Sequence, residues 1–156
     1  AGDRQTLLIF CLEDDDRMAI PLSEVARLEE FKRSDVEQSG EQDVIQYRGE
    51  IMPLIYLRKY LSLGRGVSQE SDPNELMQAV VFTRNERSVG LVVRRIIDIV
   101  DENITVKRGA NRTGVLGTIV VQDRVTDLLD IENIVRDGDP SFLVKTTGLA
   151  LAEEVN

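Results

Sequence analysis

Short apolar runs rich in β-branched residues, separated by polar turns, dominate the chain and predict strands. TLLIFCL (6–12) and RMAIPL (17–22) flank an acidic turn and predict a hairpin. EVARLEEF (24–31) reads as a further strand, and Ser34-Asp35 can cap one helical turn before a gap at Gly40. DVIQYR and EIMPLIYL form a hairpin around Gly49, and LRKYL closes that unit as a helical turn. The stretch 64–75 is polar and rich in Gly, Ser and Pro, a loop or linker. Beyond it, LMQAVVFT (76–83) and SVGLVVRRIIDIV (88–100) read as strands. VLGTIVVQ and RVTDLLD, within 115–130, make another hairpin, and 131–140 is a short helix stopped by Gly138 and Pro140. The tail TTGLALAEEVN is either a frayed helix or a linker.

The runs repeat weakly. Residues 18–30 lie over 89–101, so that Ile20 meets Leu91, Leu22 meets Val93, Val25 meets Ile96 and Leu28 meets Ile99. With a slightly larger offset, 49–61 lie over 123–135: Ile51 meets Val125, Leu54 meets Leu128, Ile55 meets Leu129 and Leu61 meets Val135. Each half therefore reads strand, strand, gap, strand, tight turn, strand, short helix. That is too long a spacing for a solenoid and suggests two similar small β-units side by side. Short strands that must avoid open edges favour barrels. The charged turn at Arg48-Gly49-Glu50 recurs as Gln122-Asp123-Arg124, so it reads as an architectural hairpin more than as a unique catalytic loop. Pro53 then belongs at a strand edge or bulge.

Composition narrows the function. Apolar residues make up 42% and charged residues 30% of 156, ordinary for a globular protein. Lys plus Arg is 19 against 28 Asp plus Glu, a net charge of −9, which argues against nucleic acid or an anionic membrane as main partner. No apolar run approaches the roughly 18 residues of a membrane helix. The lone Cys11 lies in an apolar run and reads as a buried thiol in a reducing cytoplasm. The chain opens AGDRQT without a Met, which fits a piece of a longer protein.

Histidine is absent, which removes Ser-His-Asp and Cys-His chemistry, His zinc sites and phosphohistidine transfer within the chain. The acidic run Glu13-Asp14-Asp15-Asp16 lacks the spacing and the Gly of a calcium loop and reads as a solvated turn. GANRTGVLG (109–117) is glycine-rich, but no Gly-Lys-Ser/Thr follows, so it reads as a flexible turn between strands. Asp98, Asp101 and Glu102 are the best candidates for a carboxylate metal site of magnesium type, with a solvated strand end as the plain alternative.

MAIPLSEVARLEEF, QYRGEIMPLIYL, SVGLVVRRIIDIVDE and GTIVVQDRVTDLLDIENIV, in that order, resemble the CheW-like domain family from about Thr6 to Leu143. The resemblance implies a mainly β fold of two SH3-like five-stranded barrels with short helical turns. It implies one domain over 6–143 built of intertwined subdomains, roughly 17–75 and 76–143. The strand 6–12 is open to joining the second, and 144–156 is a tail or linker. IPLSEVARLEEF and VTDLLDIENIVRDGDPSF are most similar to the C-terminal regulatory domain of CheA histidine kinases, and a free-standing CheW-type adaptor is the alternative. Either way the implied module is non-catalytic and needs no cofactor. Its implied partners are a CheW-type adaptor, the cytoplasmic tip of a chemoreceptor and the other domains of a parent kinase, at arrays on the inner face of the membrane. The family's Arg-Gly turn maps onto Arg48 and Gly49, and Arg48, Gly49, Glu50, Met52, Arg58 and Lys59 are the expected partner-binding residues. An exposed subset of the apolar residues around Ile51–Ile55 and Val89–Val93 would supply the barrel-packing surface.

Overall fold

The computed structural model describes residues 3–61, 72–110 and 112–138. In chain order the strands are β1 (Asp3–Cys11), β2 (Met18–Pro21), β3 (Arg27–Lys32), β4 (Glu37–Ser39), β5 (Gln42–Tyr47) and β6 (Glu50–Tyr56). Helix α1 (Leu57–Tyr60) follows, then β7 (Leu76–Arg84), β8 (Arg87–Val93), β9 (Arg95–Ile104), β10 (Arg108–Gly109), β11 (Val115–Val121), β12 (Arg124–Leu129) and α2 (Ile131–Gly138). They form two sheets, ordered β10-β11-β12-β2-β1-β9 and β3-β7-β8-β6-β5-β4. Each has five principal strands plus one short edge piece, β10 or β4, that strand propensity did not predict.

Both sheets curl into barrels. In a flat sheet, strands four places apart would be about 19 Å apart. Yet Phe31 on β3 and Tyr47 on β5 meet edge to face with ring centroids 6.2 Å apart. Tyr47 also donates its hydroxyl to Glu29 on β3 at 2.9 Å. In the other sheet Val100 of β9 and Ile119 of β11 belong to the same apolar cluster, with Leu7, Ile9, Ala19, Val121 and Leu128.

Each barrel therefore has its own interior, and a third core lies between them. Successive side chains on a strand point to opposite faces. Leu7 and Ile9 fill the first barrel, while Leu8 and Phe10 enter the shared core. Met77 and Val81 fill the second barrel, while Val80 and Phe82 enter the shared core. Strands buried on both faces need apolar residues at every position, which is why LLIFCL and AVVF run unbroken. Val89, Leu91 and Val93 all enter the shared core, and none is part of an exposed surface. Between them, Gly90 leaves room in the second barrel for Leu54 and Met52, whose methyl carbons lie 3.0 and 3.1 Å from where a Cβ would stand.

The barrels do not divide at residues 75 and 76. β2 pairs in parallel with β12, and β8 pairs in parallel with β6. β1 pairs with β9, and β7 with β3. One barrel thus takes 3–21 with 95–129, and the other takes 27–56 with 76–93. Each half of the chain lends its first hairpin to the other half's barrel. The expected single strand over 88–100 is broken at Arg94 for this reason, since the chain there leaves one barrel for the other. The turn at Ser34-Asp35 is a single 3-10 turn over Arg33–Asp35, with Lys32 at its head and no side-chain cap. Within 109–117, Gly109 ends β10, Thr113 and Gly114 form a turn, and Val115 begins β11. The tail and most of the linker, 139–156 and 62–71, lie outside the described residues.

Candidate docking surface

Among the described residues, three hairpins close with two-residue turns whose central residues all have positive φ: Arg48 and Gly49 (55° and 81°), Asn85 and Glu86 (55° and 67°), and Gln122 and Asp123 (54° and 61°). Such turns match the right-handed twist of the flanking strands. The tips at 48–49 and 122–123 occupy equivalent places in the two barrels, as the repeat predicts, and are secured differently. The Arg48 guanidinium sits over the Tyr47 ring, 5.7 Å from its centroid. Burial pushes the Tyr47 hydroxyl pKa up, and its bond to Glu29 adds to that. The other tip is held from beneath by the buried Arg17, which donates to Gln122 at 3.0 Å and to Thr126 at 3.4 Å. Burial and the neighbouring Arg124 lower the Arg17 pKa, and Asp98 opposes them. Gln122 in turn donates to Asp98 at 3.4 Å.

The expected site residues separate into distinct environments. Arg48, Gly49, Glu50 and Lys59 are exposed. Met52 is 1% exposed and fills the interior of its barrel, so it belongs to the core and not to a docking surface. The reason is register: Met52 pairs with Ile45, on the inward face. Arg58 is half-buried and engaged with Glu13 at 3.0 Å. The acidic turn is solvent-exposed at Asp14 and Asp15, as its composition suggests, but three of its four side chains are engaged. Glu13 binds Arg58, Asp14 binds Arg94 at 2.8 Å, and Asp16 accepts from the backbone N–H groups of Leu12 and Glu13. Cys11 is fully buried, and burial pushes its thiol pKa up.

Among the described residues Leu28, Leu76, Ile97, Ile99 and Val106 are exposed as well, but the two most exposed large apolar side chains stand beside the two tips. Ile51 is 64% exposed and Val125, its counterpart in the repeat, is 71% exposed. Val125 stands directly across from Val120, itself 43% exposed, and Leu116 continues the row along β11. Ile55, four residues on from Ile51, is instead drawn into the shared core. The repeat had paired Ile51 with Val125, but the pattern alone could not say which members of each apolar run face outward.

Asp98, Asp101 and Glu102 do not converge. Asp98 pairs with Ile9 and Glu102 with Gln5, whereas Asp101 pairs with Thr6 on the opposite face and accepts its hydroxyl. Among the described residues no group of three acidic, Cys or His side chains is placed to hold a metal ion. Nor is any helix among them long and apolar enough to cross a membrane.

Comparison with known proteins agrees with this architecture. No curated protein matches the sequence. Among solved structures, the scaffolding protein TtCheW from Thermoanaerobacter tengcongensis superposes with a TM-score of 0.65 at 15% identity, over 82% of this chain and 90% of that one. At that identity the likeness concerns the fold. The family model for the CheW-like domain matches residues 6–139, and the chain therefore belongs to the CheW-like domain family.

Proposed function

We propose that the chain is a scaffold of chemotaxis signalling that works by protein docking and carries no chemistry of its own. The observation behind this reading is the pair of equivalent outward residues, Ile51 and Val125, each beside a charged tip on a different barrel. An apolar centre with a polar rim is what a protein interface needs, and two such places on one body make a connector. The partners in this reading are a CheW-type adaptor or the kinase that such adaptors serve, and a chemoreceptor tip, at arrays on the inner face of the membrane.

The free-standing adaptor has better support than the regulatory domain of a kinase. The structure it superposes on is a scaffolding protein, and 90% of that protein's length is covered. The kinase reading rests on the sequence blocks around IPLSEVARLEEF and VTDLLDIENIV.

Calorimetric titration against a CheW-type adaptor, a chemotaxis kinase and a receptor tip tests the proposal. Ile51→Asp and Val125→Asp should each weaken one partner by about tenfold or more, as loss of an apolar anchor does, and leave the fold intact. Normal binding of all partners by both variants would remove the docking role from these barrel ends.

A further inference from the structure

Each helix of the repeat reaches across to the other barrel's borrowed hairpin, and the charges at the two crossings are reversed. α1 follows β6 of the second barrel, and its Arg58 binds Glu13, at the tip of the β1–β2 hairpin in the first. α2 follows β12 of the first barrel, and its Glu132 binds Arg84, at the tip of the β7–β8 hairpin in the second. Arg58 and Glu132 are equivalent positions, since the repeat that lays 49–61 over 123–135 lays one on the other. A twofold-like body thus carries plus on one helix and minus on the other, with the hairpin tips complementary.

This asymmetry bears on a choice the chain faces when it folds. The pairings β2 with β12 and β8 with β6 are equivalent to β2 with β6 and β8 with β12, in which each half would keep its own hairpin. The apolar pattern of the two halves is too alike to forbid the second arrangement: Ile20 matches Leu91, and Ile55 matches Leu129, all in the shared core. In that arrangement the helices would still cross, but α1 would meet the β7–β8 tip and α2 the β1–β2 tip. Arg58 would face Arg84, and Glu132 would face Glu13.

We propose that these two opposite-sign ion pairs form a charge code that selects the exchanged arrangement of hairpins over the unexchanged one. Single exposed pairs contribute little to stability. Their use here lies in the difference between arrangements, because two attractions become two repulsions, and specificity is such a difference.

The test compares two charge-swapped forms of the chain in refolding from denaturant. Glu13→Arg with Arg58→Glu keeps an attractive pair at the first crossing but makes both crossings alike, so the code is erased. Adding Arg84→Glu and Glu132→Arg reverses every sign and restores it. If the pairs only glue surfaces, both forms should refold like the parent chain. If they form a code, the double variant should lose native yield, or populate a second set of backbone amide resonances, by on the order of tenfold relative to the parent, and the quadruple variant should recover. A double variant that refolds as one species with parental yield overturns the proposal. So does failure of both variants, because the quadruple variant retains the code.

Discussion

At the scale of single residues the turn at 48–49 is the clearest case of backbone deciding identity. Gly49 has φ of 81° with open space around it, so an added side chain would meet strain but no clash. Gly49→Val should therefore lower stability by about 1–3 kcal/mol, because a β-branched residue resists positive φ. Gly49→Asn should cost much less, since the equivalent Asp123 already adopts φ of 61°. Urea unfolding of the two variants separates strain from simple bulk; equal midpoints would mean the turn relaxes. Arg48→Ala should cost only about 0.5–1 kcal/mol, the worth of an exposed cation over an aromatic face. The tight hairpin turn at Gly49 was legible in the sequence because Arg-Gly sits between apolar strand runs. The burial of Met52 was not, because inward and outward residues of this strand are both apolar.

Among the elements, the two helices add a side-chain contact between the halves of the molecule to those the paired strands make. Tyr60 at the end of α1 donates to Asp137 on α2 at 2.6 Å. Burial, then this bond, pushes the Tyr60 hydroxyl up to about 12. The sign follows directly: a phenol whose pKa is raised on folding favours the folded state while it is protonated. Its contribution is complete below the unfolded value near 10, and is lost as pH rises toward the folded value. Tyr56, raised in the same direction by burial and its bond to Asp43, adds to the trend. Stability should thus fall between about pH 10 and 12, and Tyr60→Phe should flatten that fall when denaturation midpoints are followed against pH. Strands and helices were largely legible, because their apolar runs, turns and stops lie close in sequence. The break at Arg94 was not, since nothing local distinguishes a long strand from two strands in different barrels. The short β4 and β10 escaped for a related reason: they exist only because a neighbour's edge is there to pair with.

For the whole molecule, the repeat showed two like units but could not show that they trade hairpins. Equivalent strands present equivalent pairing edges, so the sequence is consistent with both arrangements, and only contacts distant in the chain decide. That exchange yields the strongest prediction about the fold. Suppose the chain is cut between Leu61 and Asp72, between the described elements α1 and β7. The first piece would keep β3–β6 but lose the β7–β8 hairpin that joins β3 to β6. The second would keep β9–β12 but lose the β1–β2 hairpin that joins β9 to β12. Neither piece could close its barrel, and both would expose the shared core that Phe10, Leu57, Phe82 and Ile134 fill together. Each piece alone should therefore lack cooperative unfolding and the circular-dichroism signature of native strands. Mixed in equal amounts, they should reassemble into a complex with the parent's spectrum and a transition that depends on concentration, because folding has become association. Independent folding of either piece would mean that its own hairpin can serve its own barrel, and the two arrangements would then be close in free energy.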